Sequence, residues 1–331
     1  MAHGDDQPGY WIGVELGVGR IRATVYSAAF GARGTAKHST KAQRGAEAVM
    51  ARAARCVRDA ADEADLPLGS IRGVGVAVPG TVEADTGRVT SAPGLGWRLT
   101  SLKEALEGLL GLPVFVENEG AAAALAAQAV EFDSKPRRLL GLFAGASVSG
   151  GWIEDGQPRD RGEIAHMMVA SDGPHCCCGA VGCLDAVAGF PAILAQVAAA
   201  ARDGGRTMLT DLVGANLKDA RKGDLRKAFR AGDRLVISAL EDAAGFLGLA
   251  AARLIAKLRP DLLVLGGALA EVMGERLKAI VEQVLKNRLP AGTGGEVTLA
   301  VSALGDDAAV IGAAVLAARQ GTAKPALLTG S

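Results

Sequence analysis

Aromatic side chains are scarce in this 331-residue chain: Phe, Trp and Tyr together make up 4% of it. A surface that stacks nucleic-acid bases needs such rings, so their rarity argues against one. Net charge is missing too. Lys plus Arg number 36 and Asp plus Glu number 36, which leaves no basic footprint for a phosphate backbone. The opening "MAHGDDQPGY" is polar and lacks the basic-then-apolar order of a signal peptide. The apolar stretch "GFLGLAAARLIA" at 245–256 is too short to span a bilayer and carries Arg253. These absences predict a cytoplasmic protein with neither a nucleic-acid nor a membrane partner. Cysteine is sparse, at five residues, but four of them crowd into residues 176–183. One local cluster suits a metal better than a disulfide framework.

What is plentiful is Gly, at 45 residues, within a composition that is 49% hydrophobic. Such a chain can bury a large core in which helices lie close on sheets. "WIGVEL" (11–16) reads as a strand, "GVG" as its turn and "RIRATVYS" (20–27) as the returning strand. "TAKHST" is a candidate third strand. Apolar residues spaced by three and four predict a helix over 45–65. "IRGVGVAV" (71–78) reads as a buried strand, 101–110 as a short helix, 113–117 as a strand and 120–130 as a helix. A polar break, "EFDSKPRR" (131–138), marks a lobe boundary. The plan then restarts: "LLGLFAG" as a strand, "ASVSGG" as a turn and "WIEDG" as a returning strand. Helices are predicted at about 184–201, 234–258, 270–288 and 306–319, with strands at 261–267 and 297–304. Alternating strands and helices imply α/β layers. Two units that each open on a hairpin with a small-residue tip suggest a nucleotide, because backbone N–H groups at such tips can cradle phosphates.

Several motifs, in this order, carry a resemblance to a known family: "GVAVPGTVEADTGRV", "APGLGW", "GLPVFVENEGAAAAL", "GEIAHMMV", "CCCGAVGCLDA", "LRPDLLVLGGALAE" and "GDDAAVIGAAVLA". Together they make the chain similar to the ROK family of sugar kinases and sugar-responsive repressors, within the actin-like ATPase superfamily. The resemblance runs from about Trp11 to Ala318, and the glucokinase-like members look nearest. It implies a two-lobed α/β fold of ribonuclease H-like units with an active cleft between lobes. The implied N-terminal lobe is 11–131, completed by a helix at 306–319. The implied C-terminal lobe is 132–305, with a zinc loop at 166–183 and flexible tails at 1–10 and 320–331. A homodimer is also implied.

The family's metal pattern maps onto His166, Cys176, Cys178 and Cys183. Three thiolates and an imidazole form a closed tetrahedral set suited to structural Zn²⁺, and Gly179 and Gly182 let the loop turn between ligands. Cys177 and His175 are potential competitors. By the same resemblance a hexose would be held by Asn118, Glu119, Glu163, His166 and Asp185. Here Glu119 stands for the family's Asp, Asp185 for its Glu, and Gly94 for a residue that is often Asn.

The resemblance also implies MgATP. Its first phosphate loop, usually Asp-x-Gly-Gly-Thr-Lys, reads Glu15-Leu16-Gly17-Val18-Gly19-Arg20. The second, usually Gly-Thr-Gly-x-Gly, reads Gly145-Ala146-Ser147-Val148-Ser149. The adenosine side, Gly266-Gly267-Ala268, stays closer to the pattern. Both loops have lost a Thr hydroxyl, and Val18 replaces a glycine whose freedom at positive φ and close approach to phosphate would serve the loop. In such kinases a carboxylate takes the proton of the attacking hydroxyl, which displaces the γ-phosphoryl in line. Glu119 holds that position with one methylene more. The extra carbon displaces the oxygens by about 1 Å, a misplacement of the size that can cost on the order of a hundredfold.

Two readings follow. One is an ATP-dependent hexose kinase with Glu119 as base. The other is a non-catalytic sugar sensor or pseudokinase related to the repressors. Family repressors carry a winged helix-turn-helix ahead of the first strand, whereas ten residues precede Trp11 here, so DNA binding is not expected. A purely structural zinc protein fits less well, because the sugar ligands persist.

Overall fold

A computed structural model describes residues 9–83, 85–159, 164–289 and 297–321. The chain divides into two compact units, Met1–Val130 with Asp307–Ser331, and Glu131–Asp306.

The first unit is built on strands β1 (Tyr10–Leu16), β2 (Arg20–Tyr26), β3 (Ala32–Ser39), β4 (Ile71–Val78) and β8 (Val114–Asn118), in the order β3-β2-β1-β4-β8. β1, β2 and β3 form antiparallel pairs, whereas β4 runs parallel to β1 and β8 parallel to β4. Helix α1 (Ala46–Glu63) buries Val49, Met50, Ala53, Val57 and Ala60, an i, i+3, i+4 stripe. With α2 (Leu102–Leu110), it packs on the sheet in one hydrophobic cluster. A small sheet of β5 (Thr81–Glu83), β6 (Arg88–Ala92) and β7 (Trp97–Thr100), absent from the sequence reading, lies between β4 and α2 in the chain. Helix α3 (Glu119–Ala126) begins directly where β8 ends.

The C-terminal helix, Ala308–Gly321, packs on α3, β4 and β1. The approach is backbone to backbone and depends on missing side chains. A Cβ on Gly13 would lie 1.9 Å from the Val310 carbonyl oxygen, one on Gly75 1.8 Å from that of Ala313, and one on Gly312 1.7 Å from that of Ala122. The abundance of glycine noted in the sequence therefore sets how closely this helix can sit.

The second unit repeats the plan. Strands β9 (Arg138–Ala144), β10 (Val148–Glu154), β11 (Gln157–Pro158), β12 (Leu262–Gly266) and β13 (Thr298–Val301) follow the order β11-β10-β9-β12-β13. The first three pair antiparallel, and β12 and β13 continue the sheet in parallel. The restart read from "LLGLFAGASVSGGWIEDG" is thus repeated strand for strand.

Helices α4 (Leu184–Ala188), α5 (Phe190–Arg202), α6 (Met208–Val213), α7 (Lys222–Arg230), α8 (Arg234–Leu258), α9 (Gly267–Met273) and α10 (Glu275–Arg288) complete the unit. The helix expected over 184–201 is broken at Gly189, whose extended backbone (φ −71, ψ 156) precedes a Pro in the first turn of α5. That expected over 270–288 is broken at Gly274, φ 56. By length and composition α8 could cross a membrane. Here it is the core helix of the unit, with Leu240, Ala244, Leu247, Ala251 and Ile255 buried. Its N-cap Asp233 accepts the N–H of Leu235 and Val236 as well as those of Met208 and the Thr207 hydroxyl, tying α6 to α8.

Candidate functional site

The junction of β8 and α3 is fixed by Asn118. Its Oδ1 accepts the N–H of Gly120 at 2.8 Å and of Ala121 at 3.3 Å, the N-cap arrangement. Its Nδ2 donates to the Gly80 carbonyl at 2.6 Å. The side chain is therefore largely spent on structure and keeps one amide hydrogen for a ligand. Glu117, which the sequence left without a role, is buried, and its Oε1 accepts the Asn118 N–H at 2.8 Å. Glu119 is the first residue of α3 and is partly exposed.

At the first loop the Gly17 N–H bonds the Arg20 carbonyl, closing a tight turn. Thr40, fully buried and unremarked in the sequence, donates its hydroxyl to the Gly17 carbonyl at 2.6 Å and its N–H to that of Gly19. Neither Gly17, Val18 nor Gly19 adopts a positive φ. The expected cost of Val18 to the backbone is therefore not incurred. Its isopropyl group is half exposed and lies over Gly94, where a Cβ would meet Val18 Cγ2 at 2.8 Å. Two departures from the family pattern thus occupy one place: the larger residue at 18 fills space that a smaller one at 94 vacates. Glu15 faces guanidinium groups, Arg22 at 3.0 Å and Arg20 at 3.6 Å.

In the second unit the loop after β9 is pinned from both ends. The Gly145 N–H bonds the Ser147 carbonyl, and the Gly145 carbonyl accepts the N–H of Phe190 at the start of α5. Asp185 Oδ1 accepts the Val148 N–H at 2.6 Å. Gly267, φ 78, lies against the end of β9, where a Cβ would come 2.6 Å from the Ala144 carbonyl, and Gly266 ends β12 beside it. Gly145, Ser147, Gly266, Gly267 and Asp185 are thus brought to one end of the sheet. Beside them opens a cavity of about 880 Å³, bordered by Ala146 and Ala268, with an apolar wall that includes Phe190 and Leu194 and a cationic rim of Arg202, Lys218 and Arg221. The volume and the mix of apolar wall and cations fit a nucleotide. Sequence reasoning missed the rim, because residues 202–233 hold no motif. Lys222 also borders the cavity, but its ammonium is engaged by Glu271 and Asp306, each at 2.9 Å.

The metal cluster converges. One donor atom each from His166, Cys176, Cys178 and Cys183 lie within 4.8 Å of one another. Cys176 Sγ is 3.4 Å from His166 Nδ1, and Cys178 Sγ is 3.6 Å from Cys183 Sγ. Around a tetrahedral Zn²⁺, with bonds of ~2.3 Å to sulfur and ~2.0 Å to nitrogen, such separations come to roughly 3.5–3.8 Å. The donor set fits that ion. The Cys176 N–H donates to the Ala180 carbonyl at 2.8 Å and, together with positive φ at Gly179 (93) and Gly182 (69), folds the loop onto itself. Burial pushes the Cys183 thiol up to about 12, whereas the backbone N–H of Ala180 draws that of Cys178 down. Zn²⁺ would take both as thiolates, and would supply a cross-link rather than a reactive centre, since four protein donors leave no open position. Cys177 is exposed and groups instead with Cys176 and Asp185, while His175 joins neither donor group among the described residues. With Nδ1 turned to the cluster, His166 retains Nε2 for another partner. Glu163 lies outside the described residues.

Two sheets of one plan, each with a hairpin tip at the corresponding end, define an α/β protein of the two-lobed actin-like ATPase fold. The sequence pattern of the ROK family matches residues 11–320, and the chain belongs to that family. Over 255 residues it is 31% identical to a glucokinase of Halalkalibacterium halodurans, covering 75% of this chain and 76% of the relative. It is 31% identical to a kanosamine kinase of Amycolatopsis mediterranei over 278 residues, 82% and 84% of the two chains. It also matches a xylose repressor of Caldicellulosiruptor bescii at 27% identity over 247 residues, spanning 73% of this chain but 61% of that repressor. A ROK glucokinase of Streptomyces griseus, solved with glucose and AMPPNP, superposes with a TM-score of 0.82 at 26% identity, covering 94% of this chain and all of that one.

Proposed function

We propose that the chain binds a hexose on a glucokinase-type scaffold and transfers phosphate to it slowly or not at all. The observation that carries this reading is the Asp185 carboxylate. It begins two residues after a cluster ligand and holds the second loop by the Val148 N–H, so the cysteine cluster, a sugar-side carboxylate and the phosphate loop form one braced piece. Asn118, Glu119, Glu163, His166 and Asp185 are the sugar residues of this reading, paired to vicinal hydroxyls by amide and carboxylate groups. Glu119 would remove the hydroxyl proton if transfer occurs. The weakness lies on the phosphate side, where Val18 sets a half-exposed isopropyl group at the first loop in place of a glycine and Glu15 is already engaged by arginines. A nucleotide would lie against Gly145, Ser147, Gly266 and Gly267. The likeness to the glucokinases and the kanosamine kinase supports a hexose or amino-hexose, and a homodimer without a nucleic-acid partner remains part of the proposal.

A coupled assay across hexoses with ATP, with and without magnesium, separates the alternatives. The expected result is glucose binding by calorimetry with turnover at least a hundredfold below an active glucokinase run alongside. Robust turnover that vanishes in Glu119→Gln would identify a working kinase, with Glu119 as its base. Metal analysis of protein purified without chelator is expected to give one zinc per chain, lost in Cys183→Ser. Its absence from the wild type would remove zinc from the proposal.

A further inference from the structure

The end of β1 and the start of β2 place four charges in a row. Glu15 and Arg22 are direct cross-strand partners, and this opposition brings Arg22 Nη2 to 3.0 Å from Glu15 Oε2. The other terminal nitrogen of Arg22 reaches Asp307, just ahead of the C-terminal helix, at 2.5 Å. Arg20 Nη2 stands 3.6 Å from the same oxygen of Glu15, and that oxygen is buried without a hydrogen bond, so both contacts are ion pairs by distance. The order is Asp307, Arg22, Glu15, Arg20, with signs alternating and summing to zero. Arg22 is 7% exposed and held from both sides. It cannot swing aside without abandoning Asp307.

Glu15 is the one carboxylate of the first loop, and so the loop's only side chain able to hold a divalent cation. Magnesium binds oxygen at about 2.0–2.1 Å and keeps several waters in an octahedral shell. On Glu15 it would stand close to two guanidinium groups that repel it, at a carboxylate whose charge they already balance. The residues present do not fit the ion. Arg20, by contrast, has a side chain 49% exposed at the end of the Gly17–Gly19 turn, and a guanidinium fork suits phosphate oxygens.

We propose that the first loop meets a phosphate-bearing ligand through Arg20, backed by the Arg22–Glu15 pair, and that the ligand is a nucleoside di- or triphosphate taken without a divalent cation on Glu15. The proposal rests on the nucleotide side of the reading above and is independent of its sugar side.

ADP is titrated calorimetrically into the zinc-loaded protein, in buffer freed of magnesium by a chelating resin and again in excess magnesium. The two dissociation constants are expected to agree within threefold, and Arg20→Ala to weaken both at least tenfold. A tenfold loss on omitting magnesium, an unchanged affinity in Arg20→Ala, or no ADP binding in either buffer would overturn the proposal. In Arg22→Gln, Glu15 loses the nearer of its two guanidinium partners, and Mn²⁺ followed by electron paramagnetic resonance is expected to gain a site that adding Glu15→Gln removes. A wild-type Mn²⁺ site abolished by Glu15→Gln alone would count against it, as would a folded Arg22→Gln that gains none. Should Arg22→Gln fail to fold, the wild-type comparison decides. Glucose titrated into the same samples keeps the outcomes apart: ADP binding that needs magnesium or ignores Arg20 sinks this inference alone, glucose binding without ADP binding sinks it together with the nucleotide side of the reading, and ADP binding without glucose binding sinks the hexose side alone.

Discussion

Asn118 combines two demands in one side chain. It caps α3 and ties the strand-helix junction to Gly80, and in the proposed function its remaining amide hydrogen would meet a sugar. Asn118→Ala is therefore expected to cost about 1–2 kcal/mol for the cap, with an added penalty for the Gly80 carbonyl it abandons. A urea unfolding series measures the first effect, and glucose calorimetry on the folded fraction measures the second as weaker binding. Sequence alone could place Asn118 and Glu119 at a junction, because a β-branched run ends there and a small-residue run begins. It could not find Thr40 or Arg22. Thr40 acts through contacts to residues more than twenty positions away, and an arginine in "RIRATVY" reads as ordinary strand alternation until the register sets it opposite Glu15.

Among the elements, the parallel strands of the second unit share an anchor. Asp261 accepts the Arg138 backbone N–H at 2.9 Å and its guanidinium at 2.6 Å, its own N–H bonds the Arg138 carbonyl, and its carbonyl accepts the Thr298 N–H. One residue thus ties the starts of β9, β12 and β13. Partial burial acts to raise the Asp261 carboxyl, but Arg138 outweighs it and holds the group below the usual carboxylate range. A lowered folded-state pKa means that the stabilisation is present above the unfolded value of ~3.9 and is lost as pH falls through the lower folded value. The pair is more than a third exposed, so screening limits its share to less than about 1 kcal/mol. Urea midpoints followed from pH 6 to pH 2.5 should therefore decline more steeply in the wild type than in Asp261→Asn; equal slopes would show that the carboxylate contributes nothing. The long elements of this unit were legible in the sequence because α8 and β9 have clear apolar periods. The breaks at Gly189 and Gly274 were not, since a single glycine inside a helical pattern is tolerated as often as it ends one. Nor was the β5–β7 sheet, whose strands are three to five residues long.

For the whole molecule, the repeated sheet order was foreshadowed by the restart after residue 138, and the family motifs located the loops that the two plans hold in common. The charge state of the first loop was not foreshadowed, since it depends on Asp307 arriving from the far end of the chain. The same long-range closure makes Gly75→Ala severe: a Cβ within 1.8 Å of a helix carbonyl must push the C-terminal helix away. The expected loss is about 2–3 kcal/mol, read as a lower denaturant midpoint with an intact second unit.

The C-terminal helix also imposes an order of events on folding. Residues 131–306 form a unit without interruption, whereas the first unit needs a segment that begins at Asp307. A chain emerging from the ribosome can thus complete its second unit while the sheet that started first still exposes the glycine-floored groove of Gly13 and Gly75. Until the last turns arrive, that groove is an apolar surface in want of a helix, and Arg22 lacks its Asp307 partner. The first unit thus closes only after the second has been made, the reverse of a protein whose domains close in the order they are synthesised.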